Sequence, residues 1–183
     1  MKTLIAVCLV FISVSFAEAQ SFRGVDKSSM DCAYFPDNFA HDRKGDDKAI
    51  MKVTYSRPLK NGRDVFGKLV PYDKVWRTGA NESTEIKLYQ DVMFGDKKLS
   101  AGTYSLFSIP NATEWTIIFS SDVDYWGAYS YKESGDVLRV KGKPMEGKKE
   151  VEAFTIQFDS TGKNSGVMRL AWDKTVVEVP FTF

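Results

Sequence analysis

The stretch of the chain richest in reactive side chains surrounds Gly79, where residues 75–82 read VWRTGANE. Arg77 offers a planar fork of donors, Asn81 offers both a donor and an acceptor, and Glu82 offers acceptors only. Together these groups suit the hydroxyls or the carboxylate of a small ligand, with tryptophan rings as walls. The residues that we predict to bind a ligand are Trp76, Arg77, Thr78, Asn81, Glu82 and Trp126.

The same residues also fit a purely structural role. Arg77, Asn81 and Glu82 could form an internal network that fixes an irregular loop between two sheets, since a buried polar network must be fully satisfied. The binding hypothesis is supported by the frequency with which loops on rigid sheets carry function. Both interpretations stay open at the level of sequence.

Carboxylates supply the main catalytic alternative. A glycosidase needs two of them across a pocket, and linear spacing brings no pair together; the candidates are Glu82, Glu85, Asp122, Asp124 and Asp173. The single histidine, His41, is too little for a Ser-His-Asp triad or a histidine-rich zinc site. We therefore assign no catalytic residue, no metal ligand and no cofactor.

A second aromatic-rich region surrounds Trp126, with Trp115, Tyr125, Tyr129 and Tyr131 nearby in sequence. Flat exposed rings could form a platform for a sugar face. The alternative, which we favour, is that these rings close one end of the fold, because aromatic side chains usually bury their area.

The elements that position these residues are mostly short strands. From residue 49 apolar and polar side chains alternate, and Pro58 ends the first run. Further strands are predicted at 85–89, 92–94, 103–109, 115–120, 137–141, 151–158, 167–172 and 175–183. Turn signals separate them, including Asn61-Gly62 and the segment 144–147, and Asp173-Lys174 predicts a hairpin between the last two. The one position that suits a short helix is 121–129.

The N-terminal end is typical of an export signal. Lys2 precedes an apolar run over 4–16, which small residues follow at 17–19. We predict a signal peptide over 1–19, a partly packed polar segment over 20–48 and the β domain over 49–183. The mature protein is then periplasmic or extracellular. Its one remaining cysteine, Cys32, is predicted to be a small buried hydrophobe.

Bulk composition limits the partners. The chain has 25 basic and 24 acidic residues, so it has no electrostatic bias toward nucleic acid. No segment after the signal is long and apolar enough to cross a bilayer. A small molecule or glycan is the expected partner, and the sequence leaves the oligomeric state open.

The chain resembles the bacterial secreted family known as domain of unknown function 2911. The central shared motif is residues 69–82, and further shared motifs are at 30–36, 55–58, 61–67, 101–106, 109–110, 114–116, 126–128, 136–140 and 171–172. Two positions depart from the family pattern: Asp73 stands where Gly is usual and Ser83 where Ala is usual. The resemblance implies a compact exported β-sandwich and no stated activity.

These observations predict an all-β protein, a single antiparallel β-sandwich of jelly-roll or immunoglobulin-like kind with about eight to ten strands. The leading functional hypothesis is non-catalytic binding of a small ligand or glycan. The alternatives are a glycosidase-like hydrolase that uses Glu82 and a structural or partner-binding envelope protein.

Overall fold

The computed structural model describes residues 22–183 and is built from two antiparallel sheets. The predicted β-sandwich is confirmed, and its ten strands fall within the expected number. The predicted signal peptide over 1–19 lies outside the described residues. Among those that are described, no helix has the length and apolar character needed to cross a membrane.

The ten strands are numbered in chain order. They are β1 (Met30–Phe35), β2 (Met51–Ser56), β3 (Thr84–Leu88), β4 (Val92–Phe94), β5 (Lys97–Leu99), β6 (Gly102–Ile109), β7 (Trp115–Ser120), β8 (Asp136–Gly142), β9 (Pro144–Gly162) and β10 (Ser165–Thr182). The six-stranded sheet has the order β1-β2-β3-β6-β7-β8, and the four-stranded sheet has the order β5-β4-β10-β9. One short helix, α1 (Phe39–Asp42), and a 3₁₀ turn, Glu133–Gly135, complete the elements of residues 22–183.

Alternation along the strands divides the six-stranded sheet into a core face and an outer face. On β2, Val53 is buried in the core while Thr54 points to the other side. The register then sets Thr54 beside Glu85, and Glu85 beside Ser105 on β6. A row of polar side chains therefore crosses the outer face of this sheet.

Aromatic rings fill the core between the sheets at the end that carries the loop 74–85. Trp76 stacks on Trp172 of β10, with ring centroids 6.0 Å apart and an interplanar angle of 19°. Phe154 packs edge-on against Trp76 at 5.0 Å. Burying such rings supplies much of the stability of a domain this size, so the base of the loop is anchored in the rigid core.

The predicted hairpin at Asp173-Lys174 is wrong, because β10 is one continuous strand. The pairing of β10 with β9 shifts register on both sides of Asp173, whose φ is 54°. Asp173 therefore lies at an irregularity of the pairing, in which the extra residues are on β9 and β10 continues without a break. Its carboxylate also accepts a hydrogen bond from Lys60 at 2.6 Å, which holds this point of β10 to the loop after β2.

Three other expectations also fail. The segment 144–147 is not a turn but the start of β9, and 121–129 contains no helix. The segment 20–48, predicted as polar and partly packed, contributes the edge strand β1, whose Phe35 joins the core. Cys32 lies on this edge strand and is exposed rather than buried, because its side chain alternates away from the core.

Candidate functional site

Backbone hydrogen bonds fix the loop 74–85 against β6. The backbone N–H of Trp76 donates to the carbonyl of Ser108 at 2.7 Å, and the carbonyl of Trp76 accepts the backbone N–H of Ser108 at 2.9 Å. Thr78 is fully buried at a φ of 54°, a left-handed conformation that is a genuine outlier for a β-branched residue. Its hydroxyl donates to Ser108 Oγ at 2.9 Å, and its carbonyl accepts from Thr84 Oγ1 at 2.6 Å. Strain of this kind concentrates at functional sites.

The next left-handed residue, Asn81, joins this loop to the segment that follows β7. The carbonyl of Asn81 accepts the N–H of Gly127 at 2.8 Å, and Glu82 forms an isolated antiparallel bridge with Trp126. The φ of Asn81 is 59°, which turns the chain so that Asn81 and Glu82 line different cavities. The single site predicted from the sequence is therefore two sites.

The first site, which we call the cationic cavity, has a volume of about 410 Å³. Three of its lining residues carry positive charge, and none is acidic. The lining residues are Ser28, Pro58, Arg63, Leu69, Val70, Pro71, Lys74, Val75, Trp76, Arg77, Gly79, Ala80, Asn81 and Trp172. Arg63 is held in place because its guanidinium donates to the carbonyls of Lys60 and Leu59 at 2.8 and 2.6 Å.

Arg77 is the unusual residue of the cationic cavity. Its Nε is buried and has no hydrogen-bond acceptor within residues 22–183. The three other half-buried arginines of that range, Arg57, Arg139 and Arg169, are each paired with a carboxylate. Leaving a buried donor unsatisfied costs about 1–3 kcal/mol. Arg77 is thus the one half-buried guanidinium that the described part of the fold does not satisfy.

The N-terminal segment before β1 forms one wall of the cationic cavity through Ser28. The N–H of Ser28 donates to the Asp26 carboxylate at 2.7 Å. This hydrogen bond and the nearby Asn81 side chain lower the pKa of Asp26 from its ordinary value. The Asn81 amide therefore lies at the rim between the cavity and Asp26.

The second site, which we call the acidic cavity, has a volume of about 360 Å³ and lies over the polar row of the six-stranded sheet. Its lining residues are Met30, Thr54, Glu82, Ser83, Glu85, Ser105, Asp124, Tyr125 and Trp126. The three carboxylates, Glu82, Glu85 and Asp124, form no ion pair with any residue of 22–183. No group of three or more His, Cys, Asp or Glu side chains placed to hold a metal ion occurs in the described part of the chain.

The loop that carries Trp126 is held at both ends. Tyr125 donates its hydroxyl to Asp122 at 3.0 Å, and this hydrogen bond, with a smaller contribution from burial, raises the pKa of Tyr125. Tyr131 donates to Asp136 at 2.7 Å, and burial together with this bond raises its pKa to about 12. Between these anchors Trp126 is 63% exposed. Its indole ring is therefore displayed to solvent beside the acidic cavity.

Gly127 allows a second ring to lie beside Trp126. Its φ is 71°, and a Cβ there would approach the ring of Tyr129 to 2.8 Å. Tyr129 is exposed, whereas Trp115 is buried in the core. The aromatic-rich region thus divides: Trp115 packs inside, as favoured from the sequence, while Trp126 and Tyr129 lie open to solvent.

The structure separates the predicted site residues into three groups. Trp76, Arg77 and Asn81 line the cationic cavity, while Glu82 and Trp126 line the acidic cavity. Thr78 lines neither cavity and is fully buried, so its role is to hold the loop.

Sequence reasoning missed several lining residues of both cavities. In the cationic cavity they include Arg63 and Ser28; in the acidic cavity Glu85 and Asp124, named from the sequence only as hydrolase candidates and not as ligand-binding residues, join Glu82. The alternation of apolar and polar residues along β3 predicts that the Glu85 side chain points away from the core. Sequence gives no signal that Asp124 lies across from Glu85.

Comparison with known proteins gives a family and no function. The family model described as "Protein of unknown function (DUF2911)" matches residues 37–181. No curated protein and no solved structure matches the chain.

Proposed function

Since the chain belongs to the DUF2911 family, whose description states no function, we propose from its geometry that it reversibly binds a small hydrophilic ligand in the cationic cavity, without catalysis. The observation that carries the proposal is the half-buried Arg77, whose Nε lacks an acceptor among the described residues. Arg77 lines the cavity, so a ligand bound there is the source we propose for an acceptor to its guanidinium.

Two further features support a binding role. The cavity volume of about 410 Å³ lies in the range typical of small-molecule sites. The loop that forms it is fixed by the core tryptophans and by the strained Thr78, so the site is largely formed before a ligand arrives. Preorganisation lowers the entropic cost of binding.

The proposal includes export. It rests on the sequence of residues 1–19, in which a basic start, an apolar run and small residues follow one another. N-terminal sequencing of the protein recovered from its native host should begin at Gln20. A mature protein that retains Met1 would contradict the export proposal.

The test of binding is ligand-induced thermal stabilisation with a panel of sugars and small organic acids. A ligand that binds only the folded state raises the melting temperature by mass action. We expect at least one class of compound to stabilise the wild type and to lose this effect in Arg77→Gln. Arg43→Gln removes an exposed arginine outside the cavity and serves as the charge-matched control. Equal stabilisation of the wild type and Arg77→Gln by every active compound would contradict the proposed site.

A second candidate function is glycoside hydrolysis in the acidic cavity. The observation that favours it is that Glu85 and Asp124 line the same cavity as Glu82, beside the exposed ring of Trp126. Two carboxylates across a sugar-binding pocket are what such chemistry requires. Release of nitrophenol from nitrophenyl glycosides by the wild type and Arg77→Gln, but not by Glu82→Gln, would support it.

The structural alternative receives less support. It requires Arg77, Asn81 and Glu82 to close a network on one another. Arg77 lacks such a partner within residues 22–183, and Asn81 and Glu82 line different cavities. Severe destabilisation of the ligand-free protein by Arg77→Gln would restore this alternative.

A further inference from the structure

Resting on the proposed function, we infer that the ligand of the cationic cavity is a hydroxylated carboxylate, whose carboxylate is bound by Arg77. The charge balance of the cavity is the first reason. Its ionisable lining residues are Arg63, Lys74 and Arg77, and no ion pair of these three occurs within residues 22–183. A neutral ligand would leave this positive charge without a counter-charge among the lining residues, since the Asp26 carboxylate lies only at the rim.

The second reason is the geometry of the guanidinium. Arginine presents a planar fork of N–H donors that matches the two oxygens of a carboxylate, and such charge-assisted pairs are about twice as strong as neutral hydrogen bonds. Elsewhere the fold pairs its half-buried arginines with carboxylates, each through one nitrogen to a given carboxylate. Arg57 binds Asp31 at 2.9 Å, and Arg139 binds Asp136 at 2.6 Å. In the cationic cavity the carboxylate that would complete the same pattern has to come from the ligand.

The remaining polar groups of the cavity indicate hydroxyls on the rest of the ligand. Asn81 offers an amide donor and acceptor, and Ser28 offers a hydroxyl. These groups form directional hydrogen bonds with the hydroxyls of a sugar acid or a hydroxy acid. They lie with Arg77 around one cavity, so one small molecule can contact all three.

A phosphate-bearing ligand has charge of the same sign, about −1.5 to −2 at pH 7 against −1 for a carboxylate, and the donors of the cavity fit it less well. Phosphate sites commonly use backbone N–H groups at the start of a helix. The one α-helix of residues 22–183 is α1, which has four residues and does not line the cationic cavity. The fork of Arg77 can bind either group, so the absence of a helix N-terminus from the lining is what favours a carboxylate.

The test compares matched compounds by thermal shift and calorimetry. The carboxylates are glucuronate, gluconate and malate; their neutral counterparts are glucose and glucuronamide; and the phosphates are glucose 6-phosphate and inorganic phosphate. We expect one or more carboxylates to stabilise the wild type, and its neutral counterpart to bind at least about tenfold more weakly, which is the effect of one charge-assisted hydrogen bond. Arg77→Lys keeps the charge but loses the fork, so it should also lose about tenfold or more in affinity.

Lys74→Gln keeps the inference testable if Arg77 variants fold poorly, because Lys74 is exposed. Lys74→Gln should weaken carboxylate binding, and this loss of affinity should become smaller as the salt concentration is raised. Lys68 is an exposed lysine outside the cavity, so Lys68→Gln should leave carboxylate binding unchanged. If glucose stabilises the protein as much as glucuronate does, the inferred carboxylate ligand is wrong, and the proposed binding function is not contradicted. Stabilisation by phosphates alone would overturn the carboxylate ligand in the same way. Failure of every compound would overturn both.

Discussion

The two cavities share one loop and differ in charge. The cationic cavity has three basic side chains and no acidic one, whereas the acidic cavity has three carboxylates and no basic one. They also differ in their connection to the core: the two tryptophans of the cationic cavity, Trp76 and Trp172, are buried, while that of the acidic cavity, Trp126, is 63% exposed. A chain with nearly balanced total charge can therefore hold two local fields of opposite sign. Net charge alone says little about what such a protein binds.

The largest contrast should appear in stability when each tryptophan is removed. Trp76→Ala should lower the free energy of unfolding by about 3–5 kcal/mol, because it empties a stacked position in the core. Trp126→Ala should change it by less than about 0.5 kcal/mol, because the ring is mostly in solvent. Denaturant unfolding monitored by circular dichroism measures both. Similar losses for the two variants would show that the exposed ring is packed, and the contrast between the cavities would fail.

A smaller contrast is expected between two half-buried arginines. Arg57→Gln should cost about 1–3 kcal/mol, since Arg57 binds Asp31, the carbonyl of Phe154 and the hydroxyl of Thr155. Arg77→Gln should not lower the stability of the ligand-free protein, because no protein partner of the guanidinium is lost and its unsatisfied buried Nε is removed. Denaturant unfolding of both variants measures the two changes in the free energy of unfolding. A loss from Arg77→Gln as large as that from Arg57→Gln would mean that the cationic cavity is a structural network.

The smallest effect concerns the anchor of the Trp126 loop at high pH. The pKa of Tyr131 is raised from 10.0 to about 12, first by burial and then by its bond to Asp136, so the folded state favours the neutral phenol. Its contribution to stability is fully present below pH 10 and is lost as the pH rises toward 12. The melting temperature of the wild type should therefore fall relative to that of Tyr131→Phe over this interval. Parallel curves for the two proteins would show that Tyr131 is not a tight anchor.

Much of the fold could be predicted from the sequence because alternation is a direct consequence of strand geometry. The run from Met51 to Tyr55 alternates and forms β2. The failures have local causes. Asp173 is a typical turn residue, but β10 continues through it because β10 pairs with the long strand β9 on both sides of this point. The strand β1 could not be predicted from the polar segment 20–48, because it is stabilised by pairing with β2 and not by an alternation of apolar and polar residues of its own.

The sequence predicts one candidate site around Arg77, Asn81 and Glu82, whereas the structure divides these residues between two cavities, a division that the sequence could not give. Arg77, Asn81 and Glu82 are close in sequence, so one shared site was the natural expectation. Their separation depends on the left-handed φ of Asn81 and on Trp126, which is brought to Glu82 by pairing across the fold. Neither the dihedral angle nor the long-range bridge is encoded in residue spacing.

The position of Asn81 between the two cavities has a consequence for how this protein can change over evolution. One peptide bond separates a residue of the cationic cavity from a residue of the acidic cavity. Substitutions can alter either binding surface without affecting the other. Insertion or deletion of a single residue between Ala80 and Ser83 would shift side chains from one surface to the other and disturb both at once. Selection should therefore act on the length of this segment more strictly than on its composition.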